Sequence, residues 1–204
     1  MAEPNSNSRL EAFCDGVFAI AITLLVIDIK IPSIESIHST NDLWLALQHI
    51  LPSLFAFILS FIIIFITWVN HHGTLKLINK STSSFIFANG FLMLTVVIIP
   101  FPTALLGEYI MTDHSSPAVI IYVLTMVFQA VGWILLTGAV LKNRLYKDDE
   151  SSQRIRQGKK NGYFAFVLYS LCAAAAIRFP FVIAVITTCI WIYWLILSIR
   201  FKHE

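Results

Sequence analysis

The sequence predicts an all-α, polytopic membrane protein: one domain of six transmembrane helices. Three observations lead there. Of the 204 residues 57% are hydrophobic and only 13% charged, against about a quarter charged in soluble globular chains. The apolar residues gather into runs of membrane length, about 17–25 residues at 1.5 Å rise each. Short polar segments separate six such runs, at about 13–30, 44–69, 84–106, 117–141, 161–177 and 181–199. The net charge of +2 points to no nucleic-acid partner; the partner the composition implies is the lipid bilayer.

The first run is apolar from 13 to 29 except for Cys14, Asp15, Gly16, Thr23 and Asp28. An acidic residue inside it and charges at both ends do not fit a signal peptide, so it is expected to be a retained helix. The second run carries Pro52, expected as a kink or a late start, and is closed by Asn70-His71-His72-Gly73. The third holds Asn89 in its first half and Pro100-Phe101-Pro102-Thr103 near its end, where two prolines in three residues should break or bend the helix. After the fourth run, residues 142–160 have the composition of a solvated, charged loop, with lipid headgroups as an alternative contact. The fifth run ends in the small residues Ala173 to Ala176, which let another helix approach closely. Arg178-Phe179-Pro180 then turns the chain into the sixth run. No internal repeat is visible, which argues against an inverted-repeat transporter.

Lysine and arginine set the orientation. With the N-terminus cytoplasmic, inner segments hold Arg9, Lys76, Lys80, Lys142, Arg144, Lys147, Arg154, Arg156, Lys159, Lys160, Arg200 and Lys202, and the outer side only Lys30 and Arg178. A bias of 12 to 2 predicts both termini in the cytoplasm and an even number of spans.

The candidate chemistry lies at the first helix. At about 100° per residue, Gly16, Ile20, Thr23, Leu24 and Ile27 share one stripe, with Asp15 roughly 140° away from Ile20. The stripe reads either as a helix-packing seam or as a face toward a symmetry axis. A carboxylate near the membrane boundary needs partners, and Arg9, Trp68, His71 and His72 lie at the same inner ends. That cluster reads as a pin between the first two helices or as a group responding to protonation through histidine. Adjacent histidines project in different directions on a helix, so His71 and His72 are poor joint metal ligands, and no metal or other cofactor is expected. Cys14, Cys172 and Cys189 are widely spaced within apolar runs and read as reduced thiols. The sequence has no His-Glu-x-x-His, Gly-x-Ser-x-Gly, Walker or Rossmann pattern, so no enzyme is expected. It also lacks a Thr-Val-Gly-Tyr-Gly carbonyl filter.

Arg9-x-x-x-Phe13-Cys14-Asp15-Gly16 resembles the Arg-x-x-x-Phe-Ser-Asp signature that opens the first helix of the TMEM175 family of potassium channels. The resemblance continues through Leu25 and recurs at Trp68-Val69-Asn70-His71-His72 and Pro100-Phe101-Pro102-Thr103; Cys14 departs from the usual serine. It implies a homotetramer of six-helix subunits whose first helices line a pore for potassium ions. In the family a large aliphatic residue five positions after the signature Asp forms the narrowest ring, here Ile20. Thr23 falls where ion preference is set, and Leu24 and Ile27 match further pore-facing layers. Arg9, Phe13, Asp15, Trp68 and the two histidines then orient helix 1, and selectivity without carbonyl ligands is modest. A prokaryotic cell membrane is the expected location. The competing reading is a proton-coupled secondary transporter using Asp15, His71 and His72; a third is a non-conducting membrane assembly protein.

Overall fold

The computed structural model describes residues 7–200, with side chains through 196. It is helical throughout: α1 Ser8–Leu24, α2 Thr40–Lys76, α3 Ser83–Val97, α4 Pro100–Tyr109, α5 Ser115–Lys142, α6 Asp149–Ala175 and α7 Pro180–Arg200. The α3 and α4 helices are two halves of one rod, Ser83–Tyr109, so the described residues form six rods. The break falls where Pro100 lacks the amide that would continue the ladder; Ile99 and Phe101 donate instead to Val96 and Ile98, three residues back. The α2 helix, the α3–α4 rod and α5 are long and apolar enough to cross a membrane.

Three boundaries differ from the sequence expectation. The first helix closes at Leu24, not at 30; beyond it Ile27 and Ile29 donate to Leu24 and Val26 in tightened turns. The second helix is 37 residues long and passes straight through both Pro52 and Asn70-His71-His72-Gly73. Its extra length comes from a Ser39 cap, which accepts from the Asp42 amide at 3.1 Å, and from packing of its last turns against α1 and α3. The charged segment 142–160 is not a loop beyond 148: α6 starts at Asp149. Asp148 caps it by accepting from the Ser151 amide at 2.7 Å, and Arg154 pairs with Glu150 one turn along. The Ser151 amide, with Lys147 and Arg154 nearby, holds the Asp148 carboxyl below its usual range. A depressed native carboxylate stabilises above its unfolded range, so this cap weakens as pH falls through it.

The α5 helix lies at the centre and packs against α3, α4, α6 and α7, while α1 leans on α2 and α3. Phe18, Leu25, Ile63, Phe85, Leu92 and Met126 are among the fully buried side chains. Small residues let rods touch backbone to backbone: a Cβ on Gly107 would sit 2.8 Å from Ser53 Cα, one residue past Pro52. Hydroxyls supply polar glue nearby. Thr103 donates to the Ile99 carbonyl at 2.7 Å, so Ser60 donates to Thr103 at 2.6 Å and Tyr122 to Ser60 at 3.1 Å.

The two ends of the bundle are chemically distinct. At one, Lys30 pairs with Glu108 at 3.1 Å and Ser116 donates to the Ala176 carbonyl at 3.0 Å. At the other, the α2–α3 and α5–α6 connections pair as a short antiparallel bridge, Asn79 donating to Leu145 and Lys147 to Leu77. The turn out of α5 is a Schellman motif, with Leu145 donating to Val140 and Arg144 to Leu141. Arg144 takes the left-handed position, φ 50°, at a cost of about 1 kcal/mol for a residue with a Cβ. Arg144→Gly is therefore expected to raise stability by up to about 1 kcal/mol, read as a higher thermal midpoint in detergent.

Candidate pore helix and its anchoring cluster

The α1 helix has two faces with opposite environments. Cys14, Phe18, Ala21 and Leu25, spaced four, three and four apart, are buried against α2 and α3. The opposite stripe is bare within the chain: Ile20 is 61% exposed, Leu24 38% and Ile27 72%. Gly16 and Thr23 are exposed on the same side. Ile27 lies on the tightened turn after α1 rather than on the helix itself. The Thr23 hydroxyl donates to the Ile20 carbonyl at 2.9 Å. Its proton is thereby committed, and its lone pairs remain to meet a cation.

The buried side of α1 is held by two polar arms. In the first, Trp68 donates its indole N–H to Asp15 Oδ1 at 2.8 Å. Trp68 is stacked on His72, with ring centres 5.9 Å apart, and His72 Nδ1 lies 2.9 Å from Glu11 Oε1, too poorly aligned for a hydrogen bond. In the second, His71 turns the other way, into the core. Its Nε2 is 2.7 Å from Asn89 Oδ1, and the Asn89 amide donates to Cys14 Sγ at 3.2 Å. Because Asn89 Oδ1 only accepts, His71 carries its proton on Nε2. The Phe18 ring packs on the imidazole at 5.5 Å. The two histidines thus serve separate arms, as expected for neighbours on a helix. Among the described residues no three His, Cys, Asp or Glu side chains come together as a metal site.

Two residues named from the sequence do not join the arms. Arg9 is exposed, with no hydrogen bond or ion pair among the described residues, because its long side chain at the start of α1 reaches solvent. Phe13 is 61% exposed and stands on the bare side of α1, one residue before the buried Cys14. Glu11 and Asn89 are the members that sequence reasoning missed. Glu11 sits four residues before Asp15, one turn along the same helix. Asn89 is an amide inside an apolar run, which in a membrane implies a partner on another helix.

Comparison with known proteins places this arrangement. The family model described as endosomal/lysosomal potassium channel TMEM175 matches residues 9–100, which include α1, α2 and both arms. A potassium channel from Chamaesiphon minutus is 40% identical over 153 residues, 75% of this chain and 70% of that protein. The chain belongs to the TMEM175 family. A potassium channel from a Chryseobacterium species is 30% identical over 200 residues, 98% of this chain and 97% of its own. The crystal structure of a lysosomal potassium-selective channel TMEM175 homolog from Chamaesiphon minutus superposes with a TM-score of 0.85 at 32% identity, covering 96% of this chain and 99% of that one. The all-helical, six-rod TMEM175 fold is therefore the fold of this chain.

Proposed function

We propose that this chain is the subunit of a potassium channel whose pore is lined by α1. The observation that carries the reading is the bare stripe of Ile20 and Leu24, continued by Ile27 on the turn after α1, opposite a face that is buried and anchored. One such stripe cannot enclose a pore, so several copies must meet about an axis; a homotetramer supplies four equivalent stripes. The relatives named as potassium channels support the ion.

In this reading a ring of Ile20 side chains excludes water and closes the pore by dewetting, with Leu24 and Ile27 as further apolar layers. A small rotation of α1 admits ions. Potassium sheds water more readily than sodium, and the free lone pairs of Thr23 replace part of the lost shell, giving a modest preference. The Asp15–Trp68 and His71–Asn89 arms fix which face of α1 meets the axis. The orientation follows from lysine and arginine: both termini in the cytoplasm of a prokaryotic cell, Lys30 and Arg178 outside.

The test is cation flux into liposomes holding the purified protein, with equal pH on both sides. Potassium uptake exceeding sodium uptake is expected. Flux only under an imposed pH gradient would instead favour proton-coupled transport. That reading finds little support in the site, where Asp15 and His71 are tied to different partners and His71 is buried.

A further inference from the structure

A cleft of about 640 Å³ lies between the last third of α2, α5, α6 and α7, on the side of α2 away from α3. Neither pore-lining residues nor the Asn89 arm border it. Its wall changes character along its length. At one end stand Lys76, Arg154, Gln157 and Asn161; farther in stand Trp68, Trp133, Trp191 and Trp194. From Arg154 to Tyr169 along α6 is roughly 22 Å at 1.5 Å per residue, so the cleft runs from the water level into the hydrocarbon. Among the described residues no Asp or Glu lines it. The Arg154 guanidinium pairs with Glu150 outside the cleft at 2.8 Å and keeps further N–H donors.

Tyr169 and Trp191, both buried and with ring centres 5.9 Å apart, extend this aromatic wall.

The cleft therefore asks for negative charge at its basic mouth and an apolar body against the tryptophans. We infer that it binds one phospholipid with an anionic headgroup, drawn from the inner leaflet. The headgroup lies between Lys76 and Arg154, and an acyl chain runs along the aromatic wall. A soluble anion satisfies only the mouth; a zwitterionic lipid brings its own cation to meet Lys76 and Arg154. The occupant touches Trp68, the residue that holds Asp15.

Four of the five tryptophans line the cleft, and the fifth, Trp44, is removed by Trp44→Phe. Fluorescence of that variant in phosphatidylcholine bilayers, with phosphatidylglycerol or phosphatidylcholine brominated on the acyl chain, reads occupancy without reference to conduction. Brominated phosphatidylglycerol is expected to quench several-fold more effectively at equal mole fraction. Lys76→Gln with Arg154→Gln, both at exposed positions, is expected to make the two lipids equal. Equal quenching in the unsubstituted background overturns the proposal, as does a preference that survives both substitutions. Loss of the preference on adding millimolar inorganic phosphate would assign the mouth to a soluble anion and likewise overturn it.

Discussion

Ile20→Asn is expected to raise potassium flux about tenfold or more, equivalent to removing at least about 1.4 kcal/mol from the conduction barrier. In a ring of isoleucines water gains no hydrogen bonds, and an ion entering it loses hydration without replacement. Asparagine is smaller than isoleucine and supplies carboxamide oxygens to the same ring, so the constriction both widens and wets. Because Ile20 is 61% exposed in the subunit and faces away from the α1–α2–α3 core, the substitution leaves the fold intact. Flux into liposomes under a potassium gradient, compared with wild type at matched reconstitution, reads the outcome. An unchanged flux accompanied by a lowered thermal midpoint would mean that the stripe is only a packing seam. The sodium-to-potassium ratio should rise as well, since a wetted ring no longer selects for the more easily dehydrated ion.

The largest loss of stability is expected from Asn89→Leu. Asn89 bridges α2 and α1 from α3, accepting from His71 and donating to Cys14. Leucine matches its volume but leaves the His71 N–H buried with nothing to accept it. A buried donor left unpaired costs about 1–3 kcal/mol, and loss of the amide–thiol contact adds to that. A total near 3 kcal/mol is expected, read as a fall in thermal midpoint in detergent. The double variant with His71→Phe should recover part of the loss, because the orphaned donor is then gone. If Asn89→Leu melts with wild type, the arm does not anchor α1.

The α1 stripe and the Asp15–Trp68 contact were legible because each rests on local rules. A 3.6-residue period separates the bare face from the buried one, and a carboxylate in an apolar run demands a donor. The His71–Asn89 pair was not legible in the same way. Its members lie 18 residues apart on opposite arms of a hairpin, and only packing decides which of two adjacent histidines turns inward. Phe13 was placed by resemblance to a signature and Arg9 by its nearness in sequence to Asp15, and neither gives direction; Arg9 reaches solvent and Phe13 the bare face. The start of α6 was misread from charge content. Asp148 followed three residues later by Ser151, with Glu150 and Arg154 at helical spacing, was a helix-start signal hidden within a segment that composition alone assigns to a loop. The helix through Pro52 shows the converse: proline removes one bond from the ladder, and neighbouring rods hold the rest in place.

The backbone bridge between the α2–α3 and α5–α6 connections bears on how the protein is made. Residues 77–79 hold residues 145–147 through two backbone hydrogen bonds. During synthesis the first partner emerges when only α1 and α2 precede it, and its mate arrives after α3, α4 and α5 have entered the membrane. The pairing of the two connections thus forms only once α5 has been made. A nascent chain stopped before residue 145 should leave the α2–α3 connection more open to proteolysis than one stopped after α6. The clip makes closure of the α2–α3 connection wait on the second half of the chain.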